Sequence, residues 1–161
     1  MNYYKLFDLP EKIFFDKKII TQKYLELQKK YHPDFFTNEN EAEKENTLQF
    51  SAATNIAYKI FANKEKSIEY FLLQKGVIIA NEKYQLPASF LMEMMDINEE
   101  LEENNLKTKK IDDFEKSILA DVEHVINIEN TASLTDIDLQ NLKLYYYKKK
   151  YLSRILDRLE D

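Results

Sequence analysis

Few side chains in this sequence can do covalent or metal chemistry, and their spacing narrows the choice further. There is no cysteine, which excludes disulfides and thiolate metal ligands. The two histidines, His32 and His124, lie far apart and offer no metal-ligand spacing. No nucleophile–base–orienter set and no phosphate loop is visible, so neither catalysis nor a cofactor is expected. Two stretches remain, and both suit contact rather than catalysis. Tyr31-His32-Pro33-Asp34 sets an imidazole and a carboxylate on either side of a proline. Residues 88–105 hold six acidic residues (Glu93, Asp96, Glu99, Glu100, Glu102, Glu103), no Lys or Arg, and Met92 and Met95 among them.

The first stretch is placed by the helix before it. Asp16 is a candidate N-cap. Ile20, Tyr24, Leu27 and Tyr31 then fall at i, i+4, i+7 and i+11, one helical stripe. Lys17, Lys18, Lys23, Lys29 and Lys30 occupy the other side. They read either as a solvated face or as an electropositive docking face for an acidic partner. Pro33 has no N–H to donate and ends the helix. Asp34 can bond nearby backbone N–H groups and shape the turn. His32 at a helix C-terminus is favoured by the dipole, so an ordinary structural role also fits it. Upstream, Tyr3, Tyr4, Leu6, Phe7 and Leu9 form a short apolar cluster closed by Pro10. Downstream, a loop runs from Phe35 to Asn40. A third helix follows, from about Glu41 to Ala62, with Phe50, Ala53, Ala57 and Ile60 as its stripe and Ala52 and Ile56 widening it. Lys64 to Gln74 reads as a fourth helix burying Ile68, Phe71 and Leu72, and Lys75-Gly76 stops it.

The second stretch lies on a helix from Pro87 to about Asn104. Phe90, Met94, Ile97 and Leu101 repeat at helical spacing and are taken as core. Met92, Asp96, Glu99 and Glu103 share another side, and Leu91 borders it through Met95. Either Leu91, Met92 and Met95 are more core, or they form an exposed apolar patch rimmed by acids, which marks a binding surface. Methionine suits adaptable contacts. The acids could chelate a hard cation, but same-face helical carboxylates are usually only solvated, so no metal site is assigned. Beyond Thr108, a candidate cap, Ile111, Phe114, Ile118, Val122 and Val125 form one stripe. Thr131-Ala132-Ser133 reads as a loop. From Asp136 the stripe is Leu142, Tyr145, Leu152, Leu156 and Leu159, with Leu144 about 200° round from Leu142.

Composition agrees with helices. The chain has 161 residues, with one glycine and three prolines. Beta-rich chains need turn residues far more often. The expected fold is all-α: residues 1–75, a connector over 76–86, and an antiparallel three-helix bundle over 87–161. A net charge of −6 argues against a general nucleic-acid binder. No apolar run approaches the ~20 residues of a membrane span. Met1-Asn2-Tyr3-Tyr4 leads straight into amphipathic sequence, so a cytoplasmic location is expected.

The layout of a short aromatic helix, a basic amphipathic helix, His32-Pro33-Asp34 and a long helix resembles a J domain. Tyr3-Tyr4-Lys5-Leu6-Phe7 and the run Tyr24 to Tyr31 carry the likeness with the tripeptide. At Leu25, Glu26 and Phe35 the chain departs from the basic residues that many J domains carry. The resemblance implies a partner, an Hsp70-type chaperone (HscA-like or general), whose ATPase is stimulated through His32, Pro33 and Asp34. Tyr24, Lys23, Lys29 and Lys30 flank that contact. The second half, above all the run Phe90 to Leu101, is similar to the HscB/Jac1 type, the J-protein co-chaperones of iron–sulfur cluster assembly. That implies an IscU-like scaffold held on Leu91, Met92, Met95, Asp96, Glu99 and Glu103, with an apolar contact near Leu144. A J protein with another client and a helical nucleic-acid binder using the lysine face are the alternatives.

Overall fold

The computed structural model describes residues 1–35, 40–104 and 108–158. Positions 36–39 of the loop expected over Phe35 to Asn40, and Leu159, lie outside them. The described chain is helical: α1 (Tyr3–Leu6), α2 (Lys17–Tyr31), α3 (Glu41–Phe61), α4 (Lys64–Gln74), α5 (Ala88–Asn104), α6 (Lys109–Ala120), α7 (Glu123–Ile126) and α8 (Asp136–Asp157), with 3-10 turns at Pro33–Phe35 and Thr131–Ser133. Two compact units result, Met1–Phe71 and Leu72–Asp161. Among the described residues no helix is long and apolar enough to cross a membrane.

In the first unit, α1 is a single turn. Asp8 takes the left-handed conformation (φ 51°) just after it, and Leu9 N–H donates to the Tyr4 carbonyl at 2.8 Å. Aspartate is one of the few residues with a side chain that enter that region readily, so the helix stops before Pro10. Tyr4 and Phe7 bury against Ile20, Ala57, Phe61 and Tyr70, and the Tyr70 hydroxyl accepts the Tyr3 N–H at 2.9 Å. Burial there pushes the Tyr4 phenol far above its ordinary value, so the hydroxyl stays neutral.

Asp16 caps α2, its carboxylate accepting the Lys18 N–H at 2.8 Å. Asn40 and Glu43 form a reciprocal capping box at the start of α3. The two helices run antiparallel. Tyr24 meets Tyr58 at 4.4 Å between ring centroids near one end, and Tyr31 stacks on Phe50 at 4.8 Å near the other. One expectation fails on α3. Ala52 and Ile56 are exposed and do not widen the buried stripe. Thr47, Thr54 and Phe61 are buried in their place. Thr54 is tolerated there because its hydroxyl donates to the Phe50 carbonyl one turn back, at 2.7 Å.

In the second unit, Gly76 (φ 69°) follows α4 in the left-handed conformation that a side chain disfavours. Pro87 stands at the start of α5, and its carbonyl accepts the Leu91 N–H at 3.1 Å. Phe90, Met94, Ile97 and Leu101 are buried, as their spacing predicts. Phe90 meets Phe114 of α6 at 6.0 Å and Tyr151 of α8 at 5.9 Å, so one ring touches all three helices. The stripe from Ile111 to Val125 does not lie on one helix. α6 ends at Ala120, Val122 N–H turns back to the Leu119 carbonyl at 3.0 Å, and α7 restarts at Glu123. Thr108 stands at the N-cap of α6, but its hydroxyl makes no cap hydrogen bond. α8 opens with a capping box between Thr135 and Asp138. Leu142, Tyr145 and Leu152 are buried as expected, Leu156 is only half-buried, and Tyr146 and Ile155 complete the core.

The connector is clamped to α8 by Glu82, which accepts from Lys143 Nζ at 2.8 Å and from the Tyr147 hydroxyl at 2.6 Å. Tyr84 stacks on Tyr147 at 4.4 Å. The hydrogen bonds from Lys143 and then Tyr147 hold the Glu82 carboxyl below its ordinary value of 4.5. A carboxyl lowered in the folded state contributes stability above the unfolded-state pKa and loses it as pH falls through the folded one. Glu82→Gln should therefore lower the urea midpoint at pH 7 and have progressively less effect as pH falls below 4.5. Urea titrations of both proteins at several pH values check this.

Candidate functional site

The turn after α2 is built from three constraints. His32 leaves the helix in an extended conformation (φ −66°, ψ 129°) while its N–H still donates to the Gln28 carbonyl at 2.8 Å. Extended backbone is what a residue before proline prefers. Asp34 N–H then donates to His32 Nδ1 at 3.3 Å, and the Asp34 carboxylate lies 3.6 Å from the same nitrogen. These two contacts set the imidazole and carboxylate side by side. The Asp34 side chain is 87% exposed.

Below the turn, the Tyr31–Phe50 stack fixes where α2 ends relative to α3. Asn55 on α3 accepts two bonds at one oxygen: the Tyr24 hydroxyl and Gln28 Nε2 each donate to Oδ1 at 2.9 Å. Tyr24 is thus half-buried and engaged, and it holds the helix that presents the turn. The lysines divide between two flanks. Lys17, Lys18 and Lys29 border a groove with the exposed Leu25. Lys23 and Lys30 border a cleft of about 670 Å³ with Asp8, Glu26 and Phe50. Lys23 Nζ sits 3.7 Å from the Asp8 carboxylate, and Lys30 Nζ lies 5.2 Å from the Tyr31 ring centre. Lys29 and Lys30 are exposed.

On α5 the three neighbouring methionines separate sharply. Met94 is 1% exposed, whereas Met92 is 67% and Met95 65% exposed. Asp96, Glu99 and Glu103 are exposed with them, and Leu91 is half-buried at the border. Met92 and Met95 therefore form an apolar patch beside carboxylates, not a second core stripe. Leu144 is half-buried and lines a different cleft of about 300 Å³, between α8 and the segment from Ile118 of α6 to Val122 just beyond it. Among the described residues no three histidine, aspartate or glutamate side chains form a group that could hold a metal. His124 is 3.7 Å from Asp138, the residue in the α8 capping box.

Sequence reasoning missed Tyr151 and Arg154 of α8 and Arg158 at its C-cap, which lie beside Met95 across a cleft of about 310 Å³. Their spacing of i, i+3 and i+7 was a signal. It stands off the leucine stripe, so a search for buried positions passes over it.

The chain has relatives among known proteins. The co-chaperone protein HscB homolog of Colwellia psychrerythraea is 33% identical over 172 aligned positions, covering 100% of this chain and 97% of that one. The chain belongs to the HscB family of co-chaperones. Co-chaperone protein HscB of Buchnera aphidicola is 37% identical over 122 residues, 73% of this chain and 70% of its own length. The family profile described as the HSCB C-terminal oligomerisation domain matches residues 86–160. Among solved structures, human HscB superposes with a TM-score of 0.79 at 25% identity, over 99% of this chain and 81% of that one. Chaperone HscB from Vibrio cholerae gives 0.70 at 25% identity, over 99% and 96%. The HscB family thus accounts for both the helical order and the helical run at 88–104.

The burial contrast on α5 has a measurable consequence. Met94→Ala should destabilise the second unit by roughly 2–5 kcal/mol, the range for a buried methionine. Met92→Ala and Met95→Ala together should cost less than about 1 kcal/mol, as exposed substitutions do. Chemical denaturation of the variants compares them directly; equal losses would make all three core.

Proposed function

We propose that the chain is a two-headed adaptor. The first unit engages an Hsp70-type chaperone, HscA-like or general, and stimulates its ATPase. The second holds an IscU-like iron–sulfur scaffold protein and delivers it at the moment of hydrolysis. The observation that carries this reading is the split on α5: Met94 is buried while Met92 and Met95 are about two-thirds exposed among carboxylates. A folded chain that leaves two adjacent methionines in water gains nothing from them unless a partner covers them.

In this reading the Hsp70 contact is His32, Pro33 and Asp34, with Lys29 and Lys30 beside them. Lys23, shared with Asp8, lies on the same flank as Lys30, and Tyr24 supports the turn through Asn55. The scaffold contact is Leu91, Met92, Met95, Asp96, Glu99 and Glu103, with Leu144 as an outlying contact. The hydrolysis is the Hsp70's own. What this chain contributes is preferential binding to one conformation of that enzyme, which shifts its equilibrium.

Asp34→Asn keeps the side chain's shape and removes its charge. Stimulation of Hsp70 ATPase should fall at least about tenfold, a loss of about 1.4 kcal/mol or more, with helical content unchanged. Stimulation that survives with normal binding would rule out the loop as the contact. Adding scaffold to wild-type chain and Hsp70 should raise the ATPase rate above that with either alone, and additive rates would remove the second head.

A further inference from the structure

The cleft between α5 and α8 carries a chemistry that the acidic face lacks. Tyr151, Arg154 and Ile155 of α8 and Arg158 at its C-cap line it opposite Met94, Met95 and Asn98 of α5, around about 310 Å³. Arg154 and Arg158 are four residues apart, so their side chains share one face of α8. Both are exposed, and among the described residues neither guanidinium has an ion-pair partner. Met94 and Ile155 are buried and make the cleft floor apolar. A charge beside a low-dielectric floor interacts more strongly than one in open water. Arginine, unlike lysine, can grip a carboxylate with two parallel N–H bonds.

Met95 therefore lies between carboxylates and guanidiniums. Helical spacing puts Asp96, Glu99 and Glu103 on the side away from the cleft, and the arginines lie across it; Glu102, which accepts from the cleft-lining Asn98 at 3.3 Å, stands on the Met95 side. A wholly basic surface laid over this patch would meet the two guanidiniums. A wholly acidic one would meet the carboxylates. Only a segment carrying both signs satisfies the patch, and only one way round.

The geometry points to a two-signed docking face: the scaffold segment that covers Met92 and Met95 offers basic side chains to Asp96, Glu99 and Glu103 and an aspartate or glutamate to Arg154 and Arg158. This deepens the proposed scaffold reading and rests on it. The charges fix the segment's direction, because reversing it places like charges together.

The test is calorimetric titration of the full chain with the IscU-like scaffold of the same genome, at low and high salt. Four proteins are compared: wild type, Arg154→Gln with Arg158→Gln, Arg154→Glu with Arg158→Glu, and Met92→Ala with Met95→Ala. The arginines are exposed, so the fold should be kept, and unchanged helical content and urea midpoint confirm it. The Gln pair is expected to weaken binding about five- to tenfold at low salt, the scale of one or two exposed charge pairs. The Glu pair should weaken it more, and both losses should shrink at high salt. Normal binding by both arginine pairs alongside weak binding by the methionine pair overturns the two-signed face and leaves the α5 reading standing. Normal binding by the methionine pair overturns the α5 reading, and this inference with it.

Discussion

Four side chains on one stripe of α5 decide what its other sides can be. Phe90, Met94, Ile97 and Leu101 are all nearly inaccessible to water. An α-helix repeats every 3.6 residues, so fixing that stripe inward forces the opposite side outward. Met92, Asp96, Glu99 and Glu103 have no freedom in the matter. Burying Met92 would take a rotation of α5 that exposes Phe90 and Met94 and breaks the ring contacts with Phe114 and Tyr151. The exposed methionines are thus the consequence of a core that is already complete. The patch costs the fold little beyond the solvent exposure of two side chains.

The turn after α2 depends on the same kind of restraint. His32 and Asp34 are polar and exposed, and nothing about them alone would hold an imidazole and a carboxylate in one place. The holding is done from below. Tyr31 lies flat on Phe50, and Asn55 takes hydrogen bonds from both Tyr24 and Gln28 at one oxygen. Pro33 removes the choice of continuing the helix. Ordering the turn before a partner arrives lowers the entropy lost on binding. Tyr24 therefore influences the turn through α3, whether or not its ring meets a partner.

Much of this was legible in the sequence, because helices announce themselves by period. The stripes at Ile20–Tyr31 and Phe90–Leu101, the Asp16 cap, the Gly76 stop and the start of α8 all follow from spacing and capping chemistry. The break between α6 and α7 did not show. No glycine or proline marks it, and Val122 and Val125 stay on the inward stripe whether the helix continues or restarts. Ala52 and Ile56 misled for a different reason. They are apolar, but α2 covers only one side of α3, and Thr54 could take an inward position by bonding its own helix. The arginine cleft was invisible because it joins residues some sixty positions apart. Periodicity describes one helix at a time, and a cleft belongs to two.

The two proposed contacts differ in what supplies their affinity. Exposed charge pairs are worth about 0–1 kcal/mol each and are screened by salt. On α5, two methionines exposed by about two-thirds lie among the charges. Covering them removes apolar surface from water at roughly 25 cal/mol per Å², a contribution that salt does not screen. The charges around them then serve direction and rate more than strength. Around the turn after α2 the balance is reversed. His32 and Asp34 are polar, Lys29 and Lys30 are exposed, and Leu25 is the one large apolar side chain described in the neighbouring groove. A contact made there leans on charge and hydrogen bonds, and it weakens as ionic strength rises. In the proposed adaptor, a salt-sensitive contact at the turn would be joined to a less salt-sensitive one on α5, which is the order of strengths needed if a client is to stay bound while an ATPase cycles.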